Sequence, residues 1–170
     1  MASDLPITPA YVRTMAAYNA EMNRRFYAAA ERLGEAERRA DRGAFWRSVH
    51  GTLCHVLWAD RLWLSRFGVG KAPDVPISES GGLIDGFAEL RAAREAQDLA
   101  IRDWADALAP ADLGGDLAWW SGAAGRDMVK PRALCVMQIF NHQTHHRGQV
   151  HALLTARGEA TGATDLPFVL

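Results

Sequence analysis

Four long stretches with helix-forming composition, each carrying a start or stop signal, leave little of this chain for anything other than helices. Thr8 followed by Pro9 reads as an N-cap with proline in the first turn, and good helix formers continue to Leu33 before Gly34 ends the run. After an irregular lead-in from Gly43 to Trp46, Ser48 can cap a second helix. It passes through Thr52, His55, Ala59, Leu62 and Trp63 to about Phe67, where Gly68 and Gly70 stop it. A third runs from about Leu83 to Leu108, carrying Phe87, Leu90, Ala93, Leu99, Ile101 and Trp104, and stops near Pro110. Pro131 opens a fourth, at the position proline prefers, which ends near Arg157 and Gly158.

The segments between are short. GKAPDVPISESGG, residues 70–82, holds prolines, glycines and serines and is expected as a loop outside any element. Asp116–Ser121 and Arg126–Lys130 mix apolar and polar residues around GAAG, the pattern of a small hairpin. The tail ATGATDLPFVL is expected to be irregular. The expected fold is therefore all-α: an antiparallel four-helix bundle with a small β-hairpin insertion before the last helix, residues 1–170 forming one domain.

Composition narrows the function. With 19 basic and 20 acidic residues, scattered rather than clustered, the chain lacks the concentrated positive surface that nucleic acid requires. No stretch approaches the roughly 18 apolar residues of a membrane span, and MASDLPITPA lacks the basic and apolar regions of a signal peptide. No nucleic acid and no membrane are expected as partners, and the expected address is the cytoplasm. In that reducing setting Cys54 and Cys135 are expected to be core thiols.

Four of the six histidines fall within HQTHHRGQVH, residues 142–151 of the fourth helix. At 100° per residue, with His142 as zero, His146 lies at about 40°, while Cys135, Ile139, Val150 and Leu153 lie between about 20° and 80°. These two imidazoles therefore share the core stripe. His145, at about −60°, sits on its edge, and His151, at about 180°, faces away. A single histidine in a core stripe ordinarily just makes a hydrogen bond, but two at i, i+4 can reach one metal ion. The third ligand must come from another helix. His55 is best placed, since Thr52, Ala59, Leu62 and Trp63 share its face within about 80°, whereas His50 is rotated by about 140°. Cys54 points away from His55, and Cys135 lies roughly 10 Å along the helix from His142.

Three imidazoles leave an exchangeable fourth position, as in catalytic zinc sites, whereas structural zinc usually fills all four. Imidazole suits zinc, nickel, copper and iron alike.

SVHGTLCHVLWADRLWLSRF, residues 48–67, and NHQTHHRGQVHALL, residues 141–154, resemble the two signature helices of the DinB (damage-inducible) family, the DinB/YfiT-like metalloenzymes. The HHRGQ run and the Asp60 and Trp63 that follow His55 carry much of the likeness. The resemblance implies a four-helix bundle, often a homodimer, holding a divalent transition metal, zinc or nickel foremost, on His55, His142 and His146. It also implies a small-molecule substrate: some relatives are transferases that use bacterial low-molecular-weight thiols, and others are described as metal-dependent hydrolases.

The leading expectation is a metal-dependent enzyme that activates a thiol for transfer, with activation of water for hydrolysis as the alternative. Its rival is a non-catalytic metal-binding stress-response module, which a fourth protein ligand would favour. No glutamate stands within the HxxxH segment, which disfavours protease chemistry. His145 is expected at the surface or an interface rather than in catalysis. Asp60 is expected to pair with an arginine in the bundle, Arg147 and Gln149 to orient other groups, and Gly148 to permit close helix packing. Trp58, Trp63, Trp104, Trp119 and Trp120 are expected mainly to fill core or interface, with adjacent Trp119 and Trp120 on opposite strand faces. The broad apolar surface of the second helix adds to the expectation of a dimer.

Overall fold

The structure, a computed structural model, describes residues 6–170. Its helices are α1 (Pro9–Arg32), α2 (Glu35–Arg39), α3 (Val49–Arg66), α4 (Phe87–Ala107), α5 (Arg132–Thr155) and α6 (Leu166–Val169). Strands β1 (Asp116–Ser121) and β2 (Arg126–Pro131) form an antiparallel hairpin between α4 and α5. The architecture is the all-α bundle with one hairpin insertion.

The start signals work through hydrogen bonds. Thr8 Oγ1 accepts from the Tyr11 amide at 3.2 Å, and Ser48 Oγ from the Gly51 amide at 3.0 Å, each satisfying a donor that the first helical turn leaves open. In the bundle α1 packs on α4 and α5, while α3 packs on α5 and α4. The histidine-bearing helices α3 and α5 are thus direct neighbours.

Every residue of α3 from Val49 to Asp60 is buried. A 3₁₀ helix, Ile77–Gly82, covers the side of α3 that the long helices leave open. The broad apolar surface of α3 is therefore consumed within the chain.

Several boundaries differ from expectation. The run 70–82 is not wholly a loop: its second half winds into that 3₁₀ helix, led in by Pro76 with its fixed φ. α4 begins at Phe87 rather than Leu83, with Gly86 as N-cap. Pro131 closes β2 and caps α5, which starts one residue later. The tail contains the single-turn α6, and α2 follows Gly34 directly. Leu99 of α4 is 59% exposed, whereas Arg94 and Asp98 are buried. Gly148 faces open space, so it does not serve close packing. No described helix is long and apolar enough to cross a membrane.

Candidate metal centre

Because α3 and α5 lie side by side, His55 meets His142 and His146 across their interface. Their ring centroids are 5.0 Å and 4.8 Å from that of His55, and 4.4 Å from each other. One nitrogen from each ring lies within 4.8 Å of the others, and the group contains no carboxylate or thiol. His55 Nε2 and His142 Nε2 are 3.1 Å apart. Two nitrogens bound tetrahedrally to one zinc at 2.0–2.1 Å would be roughly 3.4 Å apart, so the donors fit one such ion with small ring adjustments.

Hydrogen bonds set which nitrogen each ring offers. The Ser80 hydroxyl donates to the Ile77 carbonyl at 2.7 Å, leaving Ser80 Oγ to accept from His55 Nδ1 at 2.8 Å. His55 Nε2 then carries the lone pair toward the centre. His146 Nδ1 donates likewise to Gln149 Oε1 at 2.8 Å. Partners of this kind fix the tautomer and orientation of a metal-binding histidine. With His55 Nε2 as acceptor, the 3.1 Å contact is made by the Nε2–H of His142, whose buried Nδ1 has no partner. An ion displacing that proton would move it to Nδ1.

The surroundings hold the rings neutral. Trp46 stacks on His55 with centroids 4.1 Å apart, and Trp58 lies near-parallel at 6.0 Å. Burial, with the positive charge neighbouring histidines would carry, lowers His55 to about 3 and His142 to about 4. His146 is lowered too, mainly by burial and against the opposing effect of Gln149. Neutral imidazole is the form that binds a metal.

The other histidines stay apart. His50 Nε2 bonds the Ile84 carbonyl, and His151 Nδ1 bonds Thr161 Oγ1. His145 is exposed, with its ring 4.8 Å from that of His146. Cys54 and Cys135 are buried free thiols. Asp60 pairs with Arg94 at 2.5 Å. Arg147 is buried over the Tyr18 ring, and Gln149 orients His146.

The sequence profile of the DinB family matches residues 7–170. The chain belongs to the DinB family. The crystal structure of a DinB-like protein from Bacillus cereus ATCC 10987 superposes with a TM-score of 0.58 at 18% identity, covering 84% of this chain and 89% of that one, a likeness of fold. No curated protein matches the sequence.

Two residues at the DinB centre carry no sequence signal that sets them apart. Ser80 lies in a Ser/Gly run that resembles any surface loop. Trp46 lies in an aperiodic stretch, where Arg47 adopts φ 66° and the Arg47 amide bonds the Ala44 carbonyl to form a tight turn. An aromatic side chain two residues before the cap of the histidine helix is the only hint.

Proposed function

We propose that this DinB-family chain is a metal-dependent enzyme in which His55, His142 and His146 hold one divalent ion, zinc or nickel, and a low-molecular-weight thiol is activated there for transfer to an electrophile. The observation that carries this reading is the convergence of three neutral imidazoles, two with their outer nitrogens tied to Ser80 and Gln149. When bound, the ion supplies Lewis acidity that lowers the pKa of a thiol or water donating to it.

Three neutral donors leave the ion's charge uncompensated, and that favours an anionic fourth partner such as a thiolate. The stacked Trp46 and Trp58 exclude water from one side of His55 and strengthen electrostatic attraction within the site. A thiol, with an ordinary pKa near 8.5, needs less help to ionise than water does. The histidine group offers no carboxylate to take a proton from water, which places thiol transfer ahead of hydrolysis.

Elemental analysis tests the centre: wild type loads one ion per chain, and His55→Ala, His142→Ala and His146→Ala each lose it. The metal-loaded protein binds a bacterial thiol in titration and consumes an electrophile with it. Metal loading without consumption across a broad electrophile panel overturns the transferase reading and leaves the non-catalytic module.

A further inference from the structure

The hairpin builds a second feature of the fold. Trp119 pairs with Met128 and Leu117 with Lys130, so strand alternation sends these four side chains to one face. Trp120 and Val129 point the other way and are 62% and 59% exposed. Trp119 meets Trp63 of α3 edge-on at 5.5 Å, and the Arg66 guanidinium lies 4.5 Å from the Trp63 ring and 5.2 Å from the Trp119 ring. Those contacts anchor the hairpin to α3 and leave a groove of about 770 Å³ between it and α5.

The groove has the size of a small-molecule site. Trp63, Trp119, Met128 and Leu134 give it apolar walls, and Leu134 is 51% exposed there. Isolated exposed apolar residues are ordinary, but a contiguous apolar concavity marks a binding surface. Gln138 and Asn141 also line it. Gln138 precedes His142 by one helical turn, roughly 6 Å along α5, and Asn141 adjoins it in sequence, although none of the three histidines lines the groove.

Charge narrows the occupant. Lys130 lies in the groove, and Arg66 and Arg132 join it around the Cys135 thiol. Among the described residues none of these three cations is in an ion pair. Burial lowers the pKa of Arg66, as expected for a guanidinium short of counter-charge.

We propose that the groove binds an amphipathic organic anion, an aromatic or branched aliphatic carboxylate whose apolar body lies between Trp63, Trp119 and Met128 and whose charge faces Lys130. This molecule is the co-substrate of the thiol, carrying an activated double bond whose β-carbon bonds the sulfur while its α-carbon takes up the proton the thiol loses, an assignment that rests on the metal-enzyme reading above. Binding in the groove does not depend on that reading.

The test uses the full chain, with and without zinc, and 8-anilinonaphthalene-1-sulfonate as the probe, an aromatic anion that fluoresces on entering an apolar site. Saturable enhancement is expected. Met128→Glu, which puts a carboxylate on the inner face, weakens binding about tenfold or more, while Val129→Glu on the outer face of the same strand leaves it within about twofold. Lys130→Gln weakens the anionic probe by about threefold or more and leaves a neutral naphthylamine probe unchanged. Equal effects of Met128→Glu and Val129→Glu overturn the proposal. So does the absence of binding, including the case in which light scattering shows a dimer whose second copy covers the groove. Zinc loading, measured separately, keeps the two readings distinct: a chain that binds the probe as described but takes up no metal retains the groove and loses the enzyme.

Discussion

His55 Nδ1 lies 2.8 Å from Ser80 Oγ, and the same hydroxyl lies 2.7 Å from the Ile77 carbonyl. The chain thereby fixes one imidazole tautomer from a 3₁₀ helix that contributes no ligand. Ser80→Ala leaves the His55 N–H buried and unpaired and frees the ring to exchange tautomers. Loss of such a supporting partner costs about 10- to 100-fold in metal affinity, and the orphaned donor costs about 1–3 kcal/mol of stability. Competition titration against a zinc chelator reads the first and urea denaturation the second. Unchanged zinc affinity would remove Ser80 from the site.

The histidine pKa values give the apo protein a direction in acid. His55 and His142 are depressed to about 3 and about 4 in the folded chain, and His146 and His50 are lowered as well. Each unfolded histidine titrates near 6.5, so below that pH the unfolded chain binds more protons and stability falls. The contribution is fully present above about pH 6.5 and is lost as the pH falls through about 4 and about 3. Thermal melting of metal-free protein should drop by on the order of 5 °C between pH 7 and pH 5. Zinc affinity should stay nearly flat between about pH 8 and pH 7, because the folded rings are neutral there and an ion releases no net proton from them. His55→Ala, without the most depressed ring, should show a shallower decline on the acid side.

The difference between Ser80 and His142 shows what the sequence made legible. His142 and His146 share a helical face by arithmetic alone, because α5 has one repeating geometry and the 100° step places every side chain. The caps of α1 and α3 were equally legible, since Thr8 and Ser48 each act on an amide three residues away. Ser80 and Trp46 act on a ring 25 and 9 positions distant through irregular backbone, where no period relates residue number to direction. The buried face of α4 was less legible, for a different reason. Arg94 and Asp98 look like solvent-facing charges, and they are buried because Asp60 and Asn23 on other helices meet them. The hairpin was legible from alternation, whereas the groove beneath it depends on packing.

Two glycines should respond oppositely to alanine. A Cβ on Gly51 would stand 2.5 Å from the Trp46 carbonyl oxygen, which already accepts from the Ser48 amide at 2.7 Å. Because the obstacle is backbone, Gly51→Ala must displace the turn that stacks Trp46 on His55. Overpacking costs about 1–3 kcal/mol, and gained helix propensity offsets at most about 1 kcal/mol. The melting temperature should fall and Trp46 fluorescence should change. A Cβ on Gly148, at an exposed position inside α5, meets nothing within 4 Å, so Gly148→Ala should stabilise by about 0.5–1 kcal/mol. Stabilisation by Gly51→Ala would contradict the close approach at Gly51, and destabilisation by Gly148→Ala would contradict the open space at Gly148.

Arg94 Nη1 lies 2.5 Å from Asp60 Oδ2, and its Nη2 lies 2.8 Å from Asp98 Oδ1, with Arg94 2% exposed. Asn23 Nδ2 donates to Asp98 at 2.9 Å, so α1, α3 and α4 meet at one buried polar cluster. Burial raises the pKa of both carboxyls while the guanidinium opposes it. Arg94→Met fills similar volume but leaves two buried carboxylates without their cation, a loss of about 3–5 kcal/mol. Neutralising both acids in the same background, with Asp60→Asn and Asp98→Asn, removes the unpaired charge and should restore part of that loss. A thermodynamic cycle in urea, with the two Asn substitutions made together as one arm, measures the recovery. Zinc stoichiometry should survive any variant that still folds, because the cluster fixes helix positions without touching an imidazole of the centre. An additive cycle would mean that the Arg94 charge is not coupled to the two carboxyls, whereas strong coupling would establish the cluster as the electrostatic tie between α3 and α4.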